Sequence, residues 1–256
     1  MPDAAPRIGF AASDAGPARE AAERLARRYG GVPVDEAQVI VALGGDGFML
    51  HTLHAVEGRG VPVYGMNRGT VGFLMNAFRE DDLPARLAQA ERAVINPLLM
   101  RAETIGGDAV EALAINEVSL LRMGPQAAKL RVLVDGRLRM EELVCDGALL
   151  ATPAGSTAYN YSAFGPILPI NAEVLALTAI APFRPRRWRG ALLPQGAVVR
   201  FEVVDPRKRP VRADADSRPV PDVVAVEIRS EPAVSHHLLF DPGHGLDERL
   251  IREQFA

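Results

Sequence analysis

The sequence predicts an α/β domain with a mainly parallel sheet, followed by an all-β-rich domain. In the first part of the chain, short apolar runs alternate with segments of helical spacing, an order typical of a parallel sheet with right-handed crossovers. Beyond a boundary near Asn96 and Pro97, helical spacing largely disappears and β-like runs follow one another. We therefore expect domains at 1–97 and 98–235, and a closing segment, 236–256, that returns toward the first domain.

The elements of the first domain follow from apolar periodicity. Since ligands of parallel sheets bind beyond the carboxyl ends of the strands, the loop after Leu43 is a candidate site. Strands are predicted at 7–12, 38–43 and 61–66. Helices are predicted at 17–29, in the run that follows Gly47, and at 82–93.

The second domain is predicted as a series of strands with one strong turn signal. Asp135 and Gly136 separate two β-like runs, and both central positions of a type I′ hairpin turn need a positive φ. One helix is expected after Gly155, and the amphipathic segment 246–255 predicts a C-terminal helix that packs back on one domain or bridges both. The predicted strands are 98–105, 112–122, 129–134, 137–144, 148–151, 198–204 and 223–229.

Composition restricts the classes of ligand and partner. A net charge of −3 provides no general attraction to nucleic acid or anionic lipid, so any phosphate site has to be built locally. The single cysteine, Cys145, excludes an intrachain disulfide and a multi-cysteine zinc site, and we interpret it as a small core residue. No apolar run is long enough to cross a bilayer, so we expect a cytoplasmic protein without nucleic-acid or membrane partners.

A glycine-rich loop with an aspartate lies between a buried strand and a helix. Gly44, Gly45 and Gly47 allow a phosphate to approach the backbone N–H groups at the helix start. The loop lacks the Lys-Ser or Lys-Thr pair of a P-loop, and Leu50 occupies the third glycine position of a dinucleotide fingerprint. The carboxylate of Asp46 would repel an anion. Its presence in this loop is explained if it accepts a proton from a hydroxyl or holds a metal. The alternative is a plain turn in which Asp46 caps the helix.

Two further segments place polar groups in unusual surroundings. The run 146–168 is dense in small and hydroxyl residues, and Pro153 and Gly155 break its strand before a helix. A capped helix without a ligand would explain this run as well. Asn116 and Glu117 interrupt an apolar run, and buried polar groups of this kind need partners such as a ligand hydroxyl. An exposed strand face is the alternative for this pair.

Together, these segments and the motif GMNRGTVGFL at 65–74 resemble the NAD kinase family over nearly the whole chain. The most specific signal is the run that contains STAYN, at 156–160. The resemblance implies the same two-domain fold, with Asp46 as the catalytic proton acceptor and Gly44, Gly45 and Gly47 as the loop for the phosphate donor. It also implies an NAD site that includes Asp46 and is lined by Gly47, His51, Asn116, Glu117, Asp146, Ala154, Thr157, Ala158, Tyr159, Asn160, Tyr161, Ser162 and Ala181.

The activity that this resemblance implies is transfer of a phosphoryl group to the 2′-hydroxyl of the adenosine ribose of NAD, which gives NADP. The donor would be ATP, another nucleoside triphosphate or polyphosphate. A divalent cation, expected to be Mg²⁺, would accompany the donor without fixed protein ligands. Family members are homo-oligomers, so a homodimer or homotetramer is expected. Two alternatives stay open: a lipid kinase, which shares a similar glycine-aspartate loop, and a sensor that binds NAD or NADP without turnover.

Three features depart from the usual pattern of the family. Phe48 stands where many members have threonine, and His51 stands where arginine is frequent. His51 and His54 lie at i and i+3 on the predicted helix, but without a third ligand we predict no zinc site. Segment 183–194 is also unlike the family; its arginines would either receive donor phosphates or form a solvated basic loop, and we favour the loop. These arginines are Arg184, Arg186, Arg187 and Arg189.

Overall fold

The computed structural model describes residues 6–69 and 72–243, and within them the chain forms two compact units. The first unit consists of the residues up to Ile95 together with those from Val234 onward, and the second unit consists of Asn96–Ala233. Part of the closing segment, His236–Phe240, is a strand of the first unit. The C-terminal helix predicted at 246–255 lies outside the described residues.

Helices and strands alternate in the first unit, whereas the second unit consists mainly of strands. In the described part of the chain, the α-helices are α1 (Gly16–Tyr29), α2 (Asp46–Ala55), α3 (Leu83–Gln89) and α4 (Tyr159–Ser162). The strands are β1 (Ile8–Ala12), β2 (Val39–Gly44), β3 (Val63–Asn67), β4 (Glu91–Ile95), β5 (Leu98–Thr104), β6 (Ala109–Ala114), β7 (Glu117–Arg122), β8 (Ala128–Val134), β9 (Arg137–Cys145), β10 (Gly147–Ala151), β11 (Val174–Ile180), β12 (Gly190–Pro194), β13 (Val199–Val203), β14 (Val211–Ala215), β15 (Arg218–Val220), β16 (Val223–Ser230) and β17 (His236–Phe240).

The first unit is built on a mainly parallel sheet, as the sequence predicts. Its strand order among the described residues is β1-β2-β3-β17-β4, with β4 antiparallel to β17 and the other neighbours parallel. The helix predicted at 82–93 is wrong in its last part, because α3 ends at Gln89 and Glu91–Ile95 forms β4. Pairing with β17 along the whole of β4 outweighs the local helical periodicity.

Two helices of the first unit pack on its sheet, and one of them begins at the predicted loop. α1 buries Ala18, Ala21 and Leu25 on one face, and it ends where Gly30 adopts a left-handed φ of 73°. α2 follows β2 after a single residue and packs on β2 and β3. The first residue of α2 is therefore held at the carboxyl edge of the sheet, where ligands of parallel sheets bind.

The second unit consists of two six-stranded sheets, counted over the described residues. One has the order β12-β11-β10-β7-β14-β15 and the other β6-β5-β16-β13-β8-β9. Buried side chains of both sheets, among them Leu150, Phe201 and Ile228, form one apolar core. The predicted hairpin turn is confirmed, since Asp135 and Gly136 have φ values of 52° and 71° between the paired strands β8 and β9.

Two predictions for the second unit need correction. The strand predicted at 112–122 is two strands, β6 and β7, because the chain turns at Ile115 and Asn116. The helix predicted after Gly155 is a 3₁₀ turn, Ala154–Thr157, followed by the short α4. Over the described residues, we find no helix with the length and apolar character that a membrane span requires.

Candidate active site

The glycine loop that the sequence predicts as a phosphate site connects β2 to α2. Gly44 ends β2 and pairs in register with Asn67 of β3, so the loop lies at the carboxyl ends of two parallel strands. A Cβ on Gly44 would lie 2.8 Å from the Cβ of Phe48, whereas one on Gly45 or Gly47 would meet nothing within 4 Å. Packing therefore requires Gly44, and the other two glycines leave room beside the backbone N–H groups of the helix start.

Asp46, the predicted proton acceptor, is the first residue of α2 and is oriented by a distant segment. The backbone N–H groups of Phe73 and Leu74 donate to its Oδ2 and Oδ1 at 2.6 and 2.8 Å. These contacts hold the carboxylate in one orientation, as a positioned base requires.

Asn76 holds the segment that orients Asp46. Its side chain is 1% exposed, and its amide donates to the carbonyl oxygens of Gly65 and Leu239 at 3.0 and 2.9 Å. Its Oδ1 accepts the backbone N–H of Asp241 at 2.9 Å. The amide thereby ties this segment to β3 and to the end of β17. Sequence reasoning missed Asn76, whose only local signal was a polar residue directly after the run GFLM.

The two departures from the family pattern on α2 lie next to each other. The rings of Phe48 and His51 are 6.1 Å apart, and the side chain of His51 is exposed. Phe48 brings a half-buried apolar ring to the position where many family members have threonine. The backbone N–H of Phe48 donates to the carbonyl oxygen of Gly45 at 3.0 Å, within the first turn of α2.

In the second unit, Asp216 shapes the turn that contains Asn116 and Glu117. Its carboxylate accepts the backbone N–H groups of Ile115, Asn116 and Glu117 at 2.7, 3.0 and 3.3 Å. These bonds take the place of ladder bonds and divide the predicted continuous strand into β6 and β7. Sequence reasoning missed Asp216 because it lies 101 residues after Ile115, where no local pattern connects the two.

Glu117 is a buried carboxyl with one unsatisfied oxygen. Its Oε2 is buried and finds no hydrogen-bond partner among the described residues. Burial, followed by the negative charge of Asp216, raises the pKa of Glu117 to about 8, while the backbone N–H of Tyr159 acts in the opposite direction. A buried polar atom without a partner costs free energy. A ligand hydroxyl would supply the missing hydrogen bond.

The predicted small-residue run packs against the same turn. The hydroxyl of Thr152 donates to the carbonyl oxygen of Ile115 at 2.8 Å and accepts the N–H of Gly155 at 3.0 Å. A Cβ on Gly155 would collide with the backbone carbonyl of Asn116. The start of the STAYN segment is therefore held directly against the turn that contains Asn116.

Asn160 is fully buried, and its side chain bonds to the protein itself. Its amide donates to the carbonyl oxygens of Ser156 and Pro166 at 3.1 and 2.9 Å, and its Oδ1 accepts the hydroxyl of Thr178 at 2.6 Å. Both donors of the amide are thus used within the unit. Asn160, which the resemblance places in the NAD site, therefore holds the backbone of the run 146–168 in place.

A cleft of about 600 Å³ in the second unit gathers residues from β7, β11, β14 and α4. Asp146, Tyr159 and Arg212 line it, and Asp146 accepts a hydrogen bond from Nε of Arg122, a further lining residue, at 2.5 Å. Burial, then the nearby charge of Glu117, raises the pKa of the Tyr159 phenol. Two of the predicted residues, Asp146 and Tyr159, therefore meet at one concave surface, together with two arginines that the sequence did not single out.

The other residues predicted for the NAD site differ in exposure. Ala154 is buried within the 3₁₀ turn. Cys145, interpreted as a core residue, is buried, and burial raises the pKa of its thiol to about 12. Five further residues of the predicted set are half-buried or exposed: Thr157, Ala158, Tyr161, Ser162 and Ala181.

Comparison with known proteins decides the family. The model of the ATP-NAD kinase N-terminal domain matches residues 20–94, and that of the ATP-NAD kinase C-terminal domain matches residues 115–226. The chain belongs to the NAD kinase family. The NAD kinase of Cereibacter sphaeroides is 70% identical over 250 residues, which cover 98% of each chain. The NAD kinase of Caulobacter vibrioides is 60% identical over 250 residues, which cover 98% of this chain and 96% of that one.

Solved structures show the fold of this NAD kinase family member. Yeast NADH kinase complexed with NADH has a TM-score of 0.83 at 20% identity, and the match covers 100% of this chain and 92% of that chain. An NAD kinase from Archaeoglobus fulgidus in complex with ATP has a TM-score of 0.75 at 24% identity, with 97% of both chains covered. The predicted fold class is confirmed, and the full-length identity to NAD kinases confirms the predicted enzyme class, an NAD kinase.

Proposed function

We propose that the protein phosphorylates the 2′-hydroxyl of the adenosine ribose of NAD, with ATP as the donor, to give NADP. The observation behind this proposal is Glu117, a buried carboxyl whose Oε2 has no partner within the described residues. Ribose hydroxyls supply the donors that such a carboxyl lacks. The full-length identity to NAD kinases and the named ATP complex of the archaeal relative support the proposal.

In this proposal the second unit binds and orients NAD. Glu117 accepts hydrogen bonds from ribose hydroxyls, and Asn116 and Tyr159 contact the adenine or its ribose. Ala154 and Asn160 act by holding the backbone of the run. Orientation lowers the barrier of the chemical step because the entropy cost of bringing the hydroxyl and the donor together is already met on binding. The further residues proposed to contact NAD are Asp146, Thr157, Ala158, Tyr161, Ser162 and Ala181 of the second unit, together with Asp46, Gly47 and His51 of the first unit.

Asp46 accepts the proton that leaves the 2′-hydroxyl as its oxygen bonds to the terminal phosphorus and the bond to ADP breaks. The loop of Gly44, Gly45 and Gly47 offers backbone N–H groups to the donor phosphates. A positioned base contributes about 10²–10⁴-fold to a rate. Positioning and charge neutralisation therefore supply the rest of the rate enhancement.

A divalent cation, Mg²⁺ in this proposal, enters with the nucleotide. When bound, it neutralises phosphate oxygens and withdraws charge from the transferred group. The residues present fit a cation held mainly by the donor, because Asp46 already accepts two backbone N–H groups. Groups of three His, Cys, Asp or Glu side chains that could hold a metal are absent from residues 6–69 and 72–243. The family resemblance further supports a cytoplasmic homodimer or homotetramer.

Formation of NADP tests the proposed function. Purified protein is incubated with NAD, magnesium chloride and either ATP or polyphosphate, and NADP is detected with an NADP-specific dehydrogenase. Asp46→Asn should bind NAD as the wild type does and form NADP about 10²–10⁴-fold more slowly. Asp35→Asn, which changes an exposed aspartate of the 3₁₀ turn Val34–Glu36, is the matched control and should keep the full rate.

The other outcomes of this assay identify the alternatives. Tight NAD binding without NADP from any donor would favour a sensor, and phosphorylation of a lipid in liposomes without NAD binding would favour a lipid kinase. Asp46→Asn also leaves one of the N–H groups of Phe73 and Leu74 facing an amide NH₂, at a cost of about 1–3 kcal/mol. The assay is therefore run well below the melting temperature of the variant, where a loss of rate reports on chemistry.

A further inference from the structure

A second cavity of the second unit, of about 390 Å³, has a lining that the roles proposed above explain only in part. Ser162 and Ala181, both proposed to contact NAD, lie at this cavity. Phe164, Arg187 and Arg189 line it as well. The two arginines belong to segment 183–194, which departs from the family pattern, so the resemblance assigns them no function.

Strained backbone is concentrated at this cavity. Among the described residues, eight that are not glycine have a positive φ, and five of these are aspartates, which tolerate the left-handed region. The other three are Phe164, Ala181 and Arg187, with φ values of 63°, 45° and 67°. All three line the cavity. Strain of this kind persists where the surrounding structure enforces it, and it clusters at ligand sites.

Within residues 6–69 and 72–243, the arginines near the cavity form no ion pair with an acidic side chain. No carboxylate of residues 6–69 and 72–243 forms an ion pair with any of the four arginines of segment 183–194. Arg184 and Arg186 lie over the ring of Phe183, at 5.5 and 5.9 Å. The described residues that line the cavity include no aspartate or glutamate. Arg187 and Arg189 therefore present uncompensated positive charge to an anion.

The backbone that presents these two guanidinium groups is anchored to the second unit. Trp188, which lies between them, is half-buried and packs against the main apolar core. The carbonyl oxygen of Arg189 accepts the N–H of Ala179 at 2.9 Å, and the N–H of Phe183 donates to the carbonyl oxygen of Val144 at 2.7 Å. Arginines on an anchored backbone bind a phosphate at a smaller entropic cost than those of a mobile loop.

We propose that this cavity is an anion subsite in which Arg187 and Arg189 bind a phosphate group of a nucleotide, with Phe164 against its organic part. The planar guanidinium matches phosphate oxygens in a bidentate manner. The choice of ligand rests on the proposed function, so the phosphate belongs either to the donor chain or to the dinucleotide. This proposal replaces the sequence-based preference for a solvated basic loop.

The fluorescence of Trp188 provides a direct test, because the sequence contains one tryptophan. The full-length protein is titrated separately with tripolyphosphate, ATP, NAD, NADP and, as a probe without phosphate, adenosine. A saturable change is expected with at least one phosphate-bearing probe. A response to tripolyphosphate and ATP identifies the donor as the source of the phosphate, and a response to NAD or NADP alone identifies the dinucleotide. No saturable change with any of these probes would overturn the proposal.

Variants show whether the arginines bind the probe. Arg187→Gly and Arg189→Ala should each weaken binding about tenfold or more, because a charge-assisted hydrogen bond is lost. Arg187→Gly should melt at the same or a higher temperature than the wild type, since glycine adopts a positive φ without strain. Arg186→Ala makes the same charge change in the same loop but outside the cavity. An equal loss of binding in Arg186→Ala would overturn the proposal.

The two proposals fail separately. If the wild type forms NADP but no probe binds in a manner that depends on Arg187 and Arg189, the anion subsite is overturned and the proposed function stands. If tripolyphosphate binds through these arginines and no NADP forms with any donor, the subsite stands and the proposed function is overturned.

Discussion

At the scale of a single residue, the raised pKa of Glu117 makes the stability of the folded protein depend on pH. This pKa is raised from 4.5 to about 8, first by burial and then by the charge of Asp216. Between these values the folded state keeps a proton that the unfolded state releases. The resulting stabilisation is complete below the unfolded pKa and is lost as the pH rises through the folded one.

Glu117→Gln should therefore change the pH dependence of stability. The amide resembles the neutral carboxyl, so the variant should exceed the wild type in stability at about pH 9 and differ little from it at about pH 5. Since one pKa unit corresponds to about 1.4 kcal/mol, the difference at high pH is on the order of a few kcal/mol. Thermal melts at both pH values measure it, and parallel pH profiles of the two proteins would contradict the raised pKa.

Local patterns predicted the candidate site residues but not what holds them. Asp46 stands in a glycine loop and Glu117 interrupts an apolar run, so each has a signal within a few residues. The carboxylate of Asp216 binds the turn of Glu117 from 99 residues away, and Asp241 binds Asn76 from 165 residues away. Hydrogen bonds of such range depend on the folded sheets, which no local periodicity describes.

At the scale of elements, the segment that follows β3 connects β17 to the start of α2 through hydrogen bonds. Asn76 donates to Leu239 of β17, and the N–H groups of Phe73 and Leu74 donate to Asp46. Asn76→Ala removes the side-chain hydrogen bonds to the carbonyl oxygens of Gly65 and Leu239 and to the N–H of Asp241, while the backbone N–H of residue 76 still donates to Gly65. A stability loss on the order of 2–4 kcal/mol is expected. Because Phe73 and Leu74 would then shift with Asp46, kcat should fall about 10- to 100-fold while KM for NAD changes little.

Tyr64→Phe is the control that separates positioning from stability. In the wild type, the hydroxyl of Tyr64 donates to Oδ1 of Asp241 at 2.5 Å, on the other side of the same network. Arg86 also donates to this carboxylate. The variant should lose about 1–2 kcal/mol of stability and keep its kcat. If kcat falls equally in both variants, Asn76 serves the fold and does not position Asp46.

At the scale of the whole molecule, the sequence predicted some strands of each unit and missed others. In the second unit, the sequence predicted the turn at Asp135 and, as separate strands, β5, β8, β9, β10, β13 and β16. It joined β6 to β7 and missed β11, β12, β14 and β15. In the first unit, β4 and β17 escaped prediction. Each has five residues, and their structure depends on pairing with one another across a whole domain. The alternating order of the other elements was enough to predict the parallel sheet.

The place of β17 between β3 and β4 predicts how fragments of the chain fold. Fragment 96–233 contains every described strand of its two sheets, so it should fold alone and melt cooperatively. Fragment 1–95 lacks β17, which lies between β3 and β4 and buries Leu238 and Phe240, so it should stay unfolded. Circular dichroism during thermal melts measures both expectations.

Joining 1–95 to 234–256 should restore a cooperative melt to the first unit. Ile95 pairs with His236 in adjacent antiparallel strands, so the new ends lie close together and a short glycine linker closes the gap. The joined protein also regains the partners of Asn76 at Leu239 and Asp241. A cooperative melt of 1–95 without the added strand would show that β17 is dispensable, and it would remove the basis for a coupling between this strand and Asp46.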